Sequence, residues 1–363
     1  MRSPSPAFYV RWREIGAALI TLSLLGSSRA EEGGTGHHLS GSGVSLTGIL
    51  PGEPGLTAKT SNWLFFGDVS ASRSLGSLVP DQTVNNGVAS FVSAALGGNL
   101  PPIAQNLAEQ VGDRINDRLD DVDVDVTVDS VQNISTLSLL YVTPWKLFGG
   151  RYTAGVALPF AAVKTTVTLE VEGPQRKASR TVSESAFGFS DLVVLPVILG
   201  WDRGYFHWTT GLGIYAPTGS YSPDDLAPLG KGYWSFEPFA GFTFLHEKSG
   251  QEISIGAAWD VNTTNPKTKY RSGDQLNVEW LIAQHLPRGF SVGATGYYYQ
   301  QISGDSDSGA TNGAFRARSV AIGPTLGFVY QDKLAVNAQW FYEVAAENNF
   351  QGNVISVNAS WTF

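Results

Sequence analysis

Seven charged or histidine side chains stand at alternate positions in segments whose other residues are typical of β-strands. Because side chains alternate between the two faces of a strand, each of these residues shares a face mainly with polar or small neighbours. We interpret the set as the polar lining of a closed sheet, where charged groups would decide which solutes enter. The candidates are Arg151, His207, Glu237, Asp260, Glu279, His285 and Glu343.

The charge of this lining has two interpretations. Acidic residues outnumber cations, with Arg151 the clearest exception, so a water-filled interior would favour cations or neutral solutes over anions. In the alternative, the same groups form a buried hydrogen-bond network that holds a narrow interior shut.

Motifs for catalysis or metal binding are incomplete. The stretch HEKSG (246–250) has a His-Glu pair, but a glycine turn follows where a zinc protease would supply a second histidine. The stretch GDSDSG (304–309) lacks the distal glutamate of a calcium loop. No G-x-S-x-G motif stands near His207 or His285. We therefore expect no enzyme activity, no catalytic residues, no metal and no cofactor.

Composition favours strands and turns with few surface charges. The chain has 41 glycines, 12% aromatic residues and 15% charged residues, against about 25% charged residues in soluble domains. It has no cysteine, which excludes a disulfide framework. A formal charge of -8 makes it a poor partner for nucleic acid.

The N-terminus resembles a secretory signal peptide over residues 1–30. Three arginines precede the apolar run IGAALITLSLLG, and Ser28-Arg29-Ala30 fits a small-x-small cleavage site. We expect the mature chain to begin at Glu31, and the run is too short for a spanning anchor.

Beyond Gln132, segments of alternating residues are joined alternately by short turns and by longer polar connections. The turn LPRG (286–289) precedes a segment at 290–301, and one of the long connections is 170–185. This order is typical of bacterial outer-membrane barrels, which have short periplasmic turns and longer external loops.

Apolar residues such as Ile253, Ile255 and Trp259 would face lipid. The segment DLVVLPVILG (191–200) is the exception, since it is apolar on both faces. We predict an all-β fold, a transmembrane antiparallel β-barrel of about twelve strands over residues 31–363.

The C-terminal stretch VISVNASWTF alternates in the same way and ends on an aromatic residue. We predict that it pairs with the first strand, near residues 57–66, and closes the barrel. Trp361 and Phe363 resemble the terminal signal recognised by the outer-membrane barrel-assembly machinery.

An irregular region lies between the first two predicted strands, at residues 67–129. Residues 87–120 show the pattern of two amphipathic helices, which would form an insert in the first long loop. The insert would either plug the lumen or pack outside it. The stretch DDVDVDVTVDS (120–130) is interpreted as a solvated strand end, with calcium or lipopolysaccharide bridging through its aspartates as the alternative.

Several stretches resemble the outer-membrane family named for the meta pathway of phenol degradation, which is also described as a transporter family. They are residues 139–159, 216–244, 268–306 and 315–330, in the order that the family has them. The resemblance implies an outer-membrane β-barrel associated with the catabolism of aromatic compounds, which passes or binds hydrophobic substrates.

We therefore expect a bacterial outer-membrane channel or uptake protein for small molecules, including aromatic or hydrophobic ones. Its partners would be outer-membrane lipid and lipopolysaccharide, the assembly machinery and the solute. The alternative is a structural or surface-binding barrel with a closed lumen.

Overall fold

A computed structural model describes residues 36–42, 44–74, 121, 123–173, 176–308, 316–331 and 333–363. The chain forms two compact units. The barrel unit is made of the described parts of Ser28–Val69, Asp129–Thr165 and Ser183–Phe363. The smaller unit takes in the described parts of Ser70–Val128 and Thr166–Val182. The expected signal peptide lies outside the described residues, as do the expected helices at 87–120.

Thirteen strands of the described residues form one antiparallel sheet. The strands are β1 (Gly55–Ser74), β2 (Asp123–Leu147), β3 (Gly150–Gly173), β4 (Arg176–Phe189), β5 (Leu192–Arg203), β6 (Phe206–Ala216), β7 (Ser235–His246), β8 (Gln251–Asn262), β9 (Gln275–His285), β10 (Phe290–Gln301), β11 (Arg318–Tyr330), β12 (Leu334–Glu347) and β13 (Gln351–Thr362). A 3-10 turn, Pro287–Gly289, joins β9 to β10.

The sheet closes on itself. β13 pairs with β1 from Thr57↔Thr362 to Asp68↔Gln351, as the alternation of the last ten residues predicted. β2 pairs with both β1 and β3, and β3 pairs with β5, so hydrogen bonding is continuous around the ring. Closure removes the free strand edges that lipid could not satisfy.

The expected count of about twelve strands is wrong because the connection at 170–185 is not a loop. Residues from Arg176 onward form β4, which pairs with β3. Ser190 and Asp191 belong to no strand and separate β4 from β5. Here Lys177 pairs with Glu170 at 3.0 Å and with Glu172 at 3.4 Å. Apart from Val182 and Ala178, residues 176–185 of this strand are polar on both faces. They show no apolar alternation, so their sequence resembles that of a loop.

The region expected to be irregular at 67–129 is also shorter than predicted, since β1 runs on to Ser74 and β2 begins at Asp123. The interpretation of 120–130 as a strand end is confirmed from Asp123 onward. Within the described part of the chain, no helix has the length and apolar character needed to cross a membrane.

The two faces of the barrel wall differ as the alternation predicted. On β8, Ile253, Ile255 and Trp259 are exposed on the outside, whereas Ser254 and Asp260 are fully buried on the inside. The interior is therefore filled rather than open along this strand. The segment that fills it comes from the residues before β1.

Candidate functional site

The lumen contains the N-terminal segment, defined as residues 36–50 with Gly43 not described. None of its described residues belongs to a strand, and it follows a series of tight turns. Backbone hydrogen bonds close these turns from Ser42 N to Leu39 O (3.0 Å) and from Ile49 N to Leu46 O (2.9 Å). A chain that turns this often can fill a narrow lumen without forming a helix or a strand.

Side chains of the wall satisfy the peptide groups of the N-terminal segment. Backbone N–H groups donate to Glu279 Oε1 from Gly41 (2.7 Å) and to Glu252 Oε1 from Leu46 (2.9 Å). Backbone carbonyls accept from the wall as well. The carbonyl contacts are Trp63 to Ser40 (2.9 Å), Thr209 to Thr47 (2.9 Å), Ser356 to Ser42 (3.3 Å) and Arg151 to Leu50 (3.2 Å). Contacts therefore come from strands all around the ring.

Apolar contacts also hold this segment. Leu50 packs with Leu140 and Ile198, and it lies against Gly200, where a Cβ would come within 2.7 Å of it. Ile198 belongs to DLVVLPVILG, the one predicted strand that is apolar on both faces. The inner face of this strand is apolar because Ile198 on that face packs against Leu50.

His37 of the segment is held by polar and aromatic groups together. Its Nε2 lies 2.9 Å from Asp191 Oδ2, its Nδ1 lies 2.7 Å from Ser235 Oγ, and its ring stacks on Tyr215 at 4.8 Å. Burial lowers the pKa of His37, and the nearby Asp191 carboxylate only partly offsets this.

His38 lies among three carboxylates of the wall. Its Nδ1 is 2.9 Å from Glu237 Oε2 and its Nε2 is 3.6 Å from Glu279 Oε1. Asp260 completes the group, with one ligand atom each of His38, Glu237 and Asp260 lying within 4.8 Å of one another. Burial alone would lower the pKa of His38, but the charge of Glu237 and its hydrogen bond outweigh burial and raise it well above its ordinary value.

Two further clusters contain predicted residues. His285 Nε2 lies 2.8 Å from Oε2 of the buried Glu252, whose other oxygen accepts from the segment. Arg151 pairs with Asp202, which also accepts a 2.5 Å contact from His207 Nδ1. Both clusters therefore link a histidine to the groups that hold the N-terminal segment.

A small aromatic cavity of about 60 Å³ lies beside the segment. Glu343 lines it, accepting from Tyr297 Oη (2.8 Å) and from the Gly352 amide (2.8 Å). The Tyr299 hydroxyl is buried and makes no hydrogen bond with the described residues. The remaining lining comes from the segment (Gly36, His38, Leu39 and Ser40) and from Trp63, Phe65, Ser319, Asn349, Phe350 and Val354.

The structure thus places all seven predicted residues on the interior side of the wall, but in separate clusters rather than in one ring. The candidate set drawn from the sequence did not include their partners His37, His38, Asp191, Asp202 and Glu252. The available signal was the stretch GTGHHLSGSGVSLTG before β1, where small residues surround two adjacent histidines.

The predicted assembly residues lie on the outside, at the end of β13. Trp361 is exposed on the outer face, and Phe363 follows the strand with its N–H donating to Leu56 O at 3.2 Å.

A family model described as "Putative MetA-pathway of phenol degradation" matches residues 112–359, more than half of the chain. The chain belongs to this family. The resemblance inferred from four sequence stretches is therefore confirmed. No curated protein gives a significant match.

Comparison with solved structures found similar outer-membrane proteins, and the first of them shares the fold of this chain. The COG4313 outer membrane channel from Pseudomonas putida F1 is 13% identical with a TM-score of 0.53, over 87% of this chain and 100% of that one. The translocator domain of autotransporter NalP from Neisseria meningitidis is 10% identical with a TM-score of 0.41, over 88% and 92%. A Pseudomonas aeruginosa FadL homologue is 10% identical with a TM-score of 0.36, over 86% and 91%.

The outer face of the barrel agrees with this fold. Large apolar side chains such as Ile255, Trp259, Ile282 and Trp340 are exposed around the ring, as lipid contact requires. The protein is a β-barrel of the bacterial outer membrane.

Proposed function

We propose that this barrel is a channel for the uptake of small molecules and that its N-terminal segment closes the lumen in this structure. The observation that carries the proposal is the position of residues 36–50, which are held inside the ring by side chains of the wall. These contacts are separate from the hydrogen-bonded ladder between strands, so the segment can be released without opening the barrel wall.

We further propose that the solutes are small aromatic or hydrophobic molecules. The name of the family supports this class. The aromatic cavity supports it as well, because Trp63, Phe65 and Tyr299 offer ring faces and the Tyr299 hydroxyl makes no hydrogen bond within the described part of the chain. At about 60 Å³ the cavity is too small for a benzene-sized ring, since a cavity known to bind benzene measures about 150 Å³. Displacing His38, Leu39 and Ser40 would enlarge it.

We propose that the seven lumen candidates set the charge of the open channel. Glu237, Asp260, Glu279 and Glu343 would make its centre negative, while Arg151 would pair with Asp202 near one end. Such a lining favours cations and neutral solutes over anions. The alternative is a closed structural barrel, and the burial of polar pairs such as His37 with Asp191 favours it.

A reversible cross-link between the segment and the wall tests the proposal. An ideal Cβ on Gly256 would lie 3.8 Å from Cγ2 and Oγ1 of Thr47. These two atoms mark where the Sγ of a cysteine at position 47 would stand, so a small adjustment of the segment would allow a disulfide. The chain has no native cysteine, so Thr47→Cys with Gly256→Cys would form a defined tether. Single-channel conductance in planar bilayers is expected to be absent when the tether is oxidised and to return in discrete steps on reduction.

Each single-cysteine variant is the matched control and should not respond to the redox state. A variant without residues 36–50 should conduct permanently, provided that its heat-modifiable gel migration shows a folded barrel. If the deletion variant inserts into the bilayer but shows no conductance, the result would favour the closed structural barrel. Equal conductance of the oxidised and reduced forms would contradict the role of the segment.

We also propose that the barrel-assembly machinery recognises Trp361 and Phe363. Both aromatic side chains are exposed at the end of β13, where a partner can reach them before the ring closes.

A further inference from the structure

A groove on the outer face of the barrel wall crosses four neighbouring strands. It runs from Val357 on β13 across β1 and β2 to Phe160 on β3. Its volume is about 460 Å³, against about 150 Å³ for a cavity that binds benzene. Three inter-strand spacings of about 4.8 Å each make the groove about 14 Å long. Its shape therefore suits an extended chain better than a single ring.

The walls of the groove belong to the surface that contacts hydrocarbon. Leu137, Leu158 and Val357 line it and are exposed. At its β3 end, Phe160 packs edge-on against Phe189 with ring centroids 5.1 Å apart. Because the outer face of an outer-membrane barrel is covered by lipid, an occupant of this groove must present an apolar surface to these side chains.

The floor of the groove is polar. It is formed by Thr60, Asn62 and Ser135, and the register places Asn62 opposite Val357 on the outer face. Exposed apolar side chains flank these polar residues in both directions along the strands, namely Leu56 and Phe66 on β1 and Val131 and Leu139 on β2. The polar floor therefore lies within the apolar belt, where polar groups are costly and often functional.

Hydrogen bonds give the floor a defined arrangement. Asn62 Nδ2 donates to Asn133 Oδ1 and to Ser135 Oγ, both at 2.8 Å. These contacts use both N–H donors of Asn62 and leave its carbonyl oxygen as an acceptor. Ser135 accepts here, and within the described ranges its own O–H donates to no other group. One acceptor and one donor side by side match a hydroxyl group, which can donate and accept at once.

We propose that this groove is a binding site for a membrane lipid whose acyl chain carries a hydroxyl group. The chain lies along Val357, Leu137 and Leu158, and its hydroxyl bonds Asn62 and Ser135. A hydrogen-bonded hydroxyl relieves the cost of holding these polar groups in hydrocarbon. The site lies on the opposite side of the wall from the N-terminal segment, so it does not depend on the proposed channel function.

Native mass spectrometry of the refolded full chain tests the site. The protein is offered equal amounts of tetradecanoic acid and 3-hydroxytetradecanoic acid. We expect one bound acid per chain, with the hydroxylated acid favoured about two- to tenfold, as one hydrogen bond allows. Equal uptake of the two acids by the wild type would overturn the proposal. Displacement of the bound acid by an equal concentration of phenol would assign the groove to a small aromatic solute and overturn it as well.

Two pairs of variants separate the floor from the walls. Asn62→Leu should abolish the preference for the hydroxylated acid. Its matched control is Asn353→Leu, which removes an amide bonded to Trp340 (3.0 Å) outside the groove and should keep the preference. Ala359→Trp fills the groove and should prevent binding of both acids, whereas Ala294→Trp on the exposed face of β10 should not. A preference that survives in Asn62→Leu would contradict the role of the floor.

A measurement on the wild type covers variants that do not fold. A diazirine-bearing 3-hydroxytetradecanoic acid is cross-linked to the protein by light, and the labelled peptides are identified by mass spectrometry. Label should concentrate on the stretches of β1, β2, β3 and β13 that line the groove. Label spread evenly over the outer face would show that lipid has no preferred site on this wall. Because neither readout uses conductance, loss of the lipid site and loss of the channel function are distinguishable.

Discussion

The Asp191 carboxylate lies 2.9 Å from Nε2 of His37, across 154 positions of sequence. Both side chains are almost completely buried, so each supplies the hydrogen-bond partner that water cannot supply to the other. This pair is a principal anchor of the N-terminal segment.

Replacing Asp191 with asparagine is expected to loosen the segment. Loss of a buried hydrogen bond to a charged group costs about 1.5–3 kcal/mol, and conductance openings in planar bilayers should therefore become more frequent. Asp274→Asn removes an acid paired with Arg271, away from the segment, and serves as the control. An unchanged opening frequency in Asp191→Asn would show that the contact of Asp191 with His37 does not hold the N-terminal segment in the lumen.

Leu50→Ala should weaken the apolar end of the same anchor. Leu50 is buried against Leu140, Ile198 and Gly200, and truncating a buried leucine typically costs about 2–5 kcal/mol. We expect a lower denaturant midpoint for the refolded barrel. Leu286→Ala, at an exposed position, should leave the midpoint in place. Equal shifts in both variants would mean that Leu50 does not stabilise the fold through this contact.

Ile255→Arg tests the lipid-facing side of the wall. Ile255 is exposed on the outer face, and an arginine there should lower the free energy of unfolding from bilayers by about 2–4 kcal/mol near the membrane midplane. Ile255→Leu is the matched control and should cost little. An unchanged free energy of unfolding in Ile255→Arg would indicate that β8 does not face hydrocarbon at this position.

Tyr299→Phe tests the aromatic cavity. Because the Tyr299 hydroxyl is buried without a hydrogen bond to the described residues, it can bind the hydroxyl of a phenol. Removing it should weaken block by phenol about two- to tenfold, the effect of one hydrogen bond, and should leave block by toluene unchanged. The measurement is titration of channel current in the reduced Thr47→Cys, Gly256→Cys variant. Equal loss for both solutes would point to a packing effect.

Phe363→Ser should reduce the assembled fraction of the protein in the outer membrane. Phe363 is exposed beyond β13, so its loss removes no buried packing from the barrel. Heat-modifiable migration of membrane extracts measures the assembled fraction. Phe148→Ser replaces an exposed aromatic residue in the β2–β3 turn and should assemble normally. Normal assembly of both variants would show that Phe363 is not required as an assembly signal.

Local pattern predicted most of the wall because alternation and turns are local properties. β10 was expected at 290–301 and is Phe290–Gln301, since strict alternation follows the LPRG turn. The first part of β4, residues 176–185, was predicted as a loop because it is mostly polar on both faces, although β4 pairs with β3 in the structure. The occupant of the lumen was missed for a different reason. His37 meets Asp191 only once the ring has formed, and no local pattern connects residues so far apart.

The position of the N-terminal segment also constrains the order of folding. The segment directly precedes β1, yet its partners extend from Trp63 on β1 to Ser356 on β13, the last strand in sequence. Its binding surface is therefore incomplete until β13 pairs with β1. Either the segment occupies the centre before the strands assemble around it, or it enters the closed barrel from one end. In the first case it acts as a template, and its loss would slow closure of the last seam even where the final barrel is equally stable.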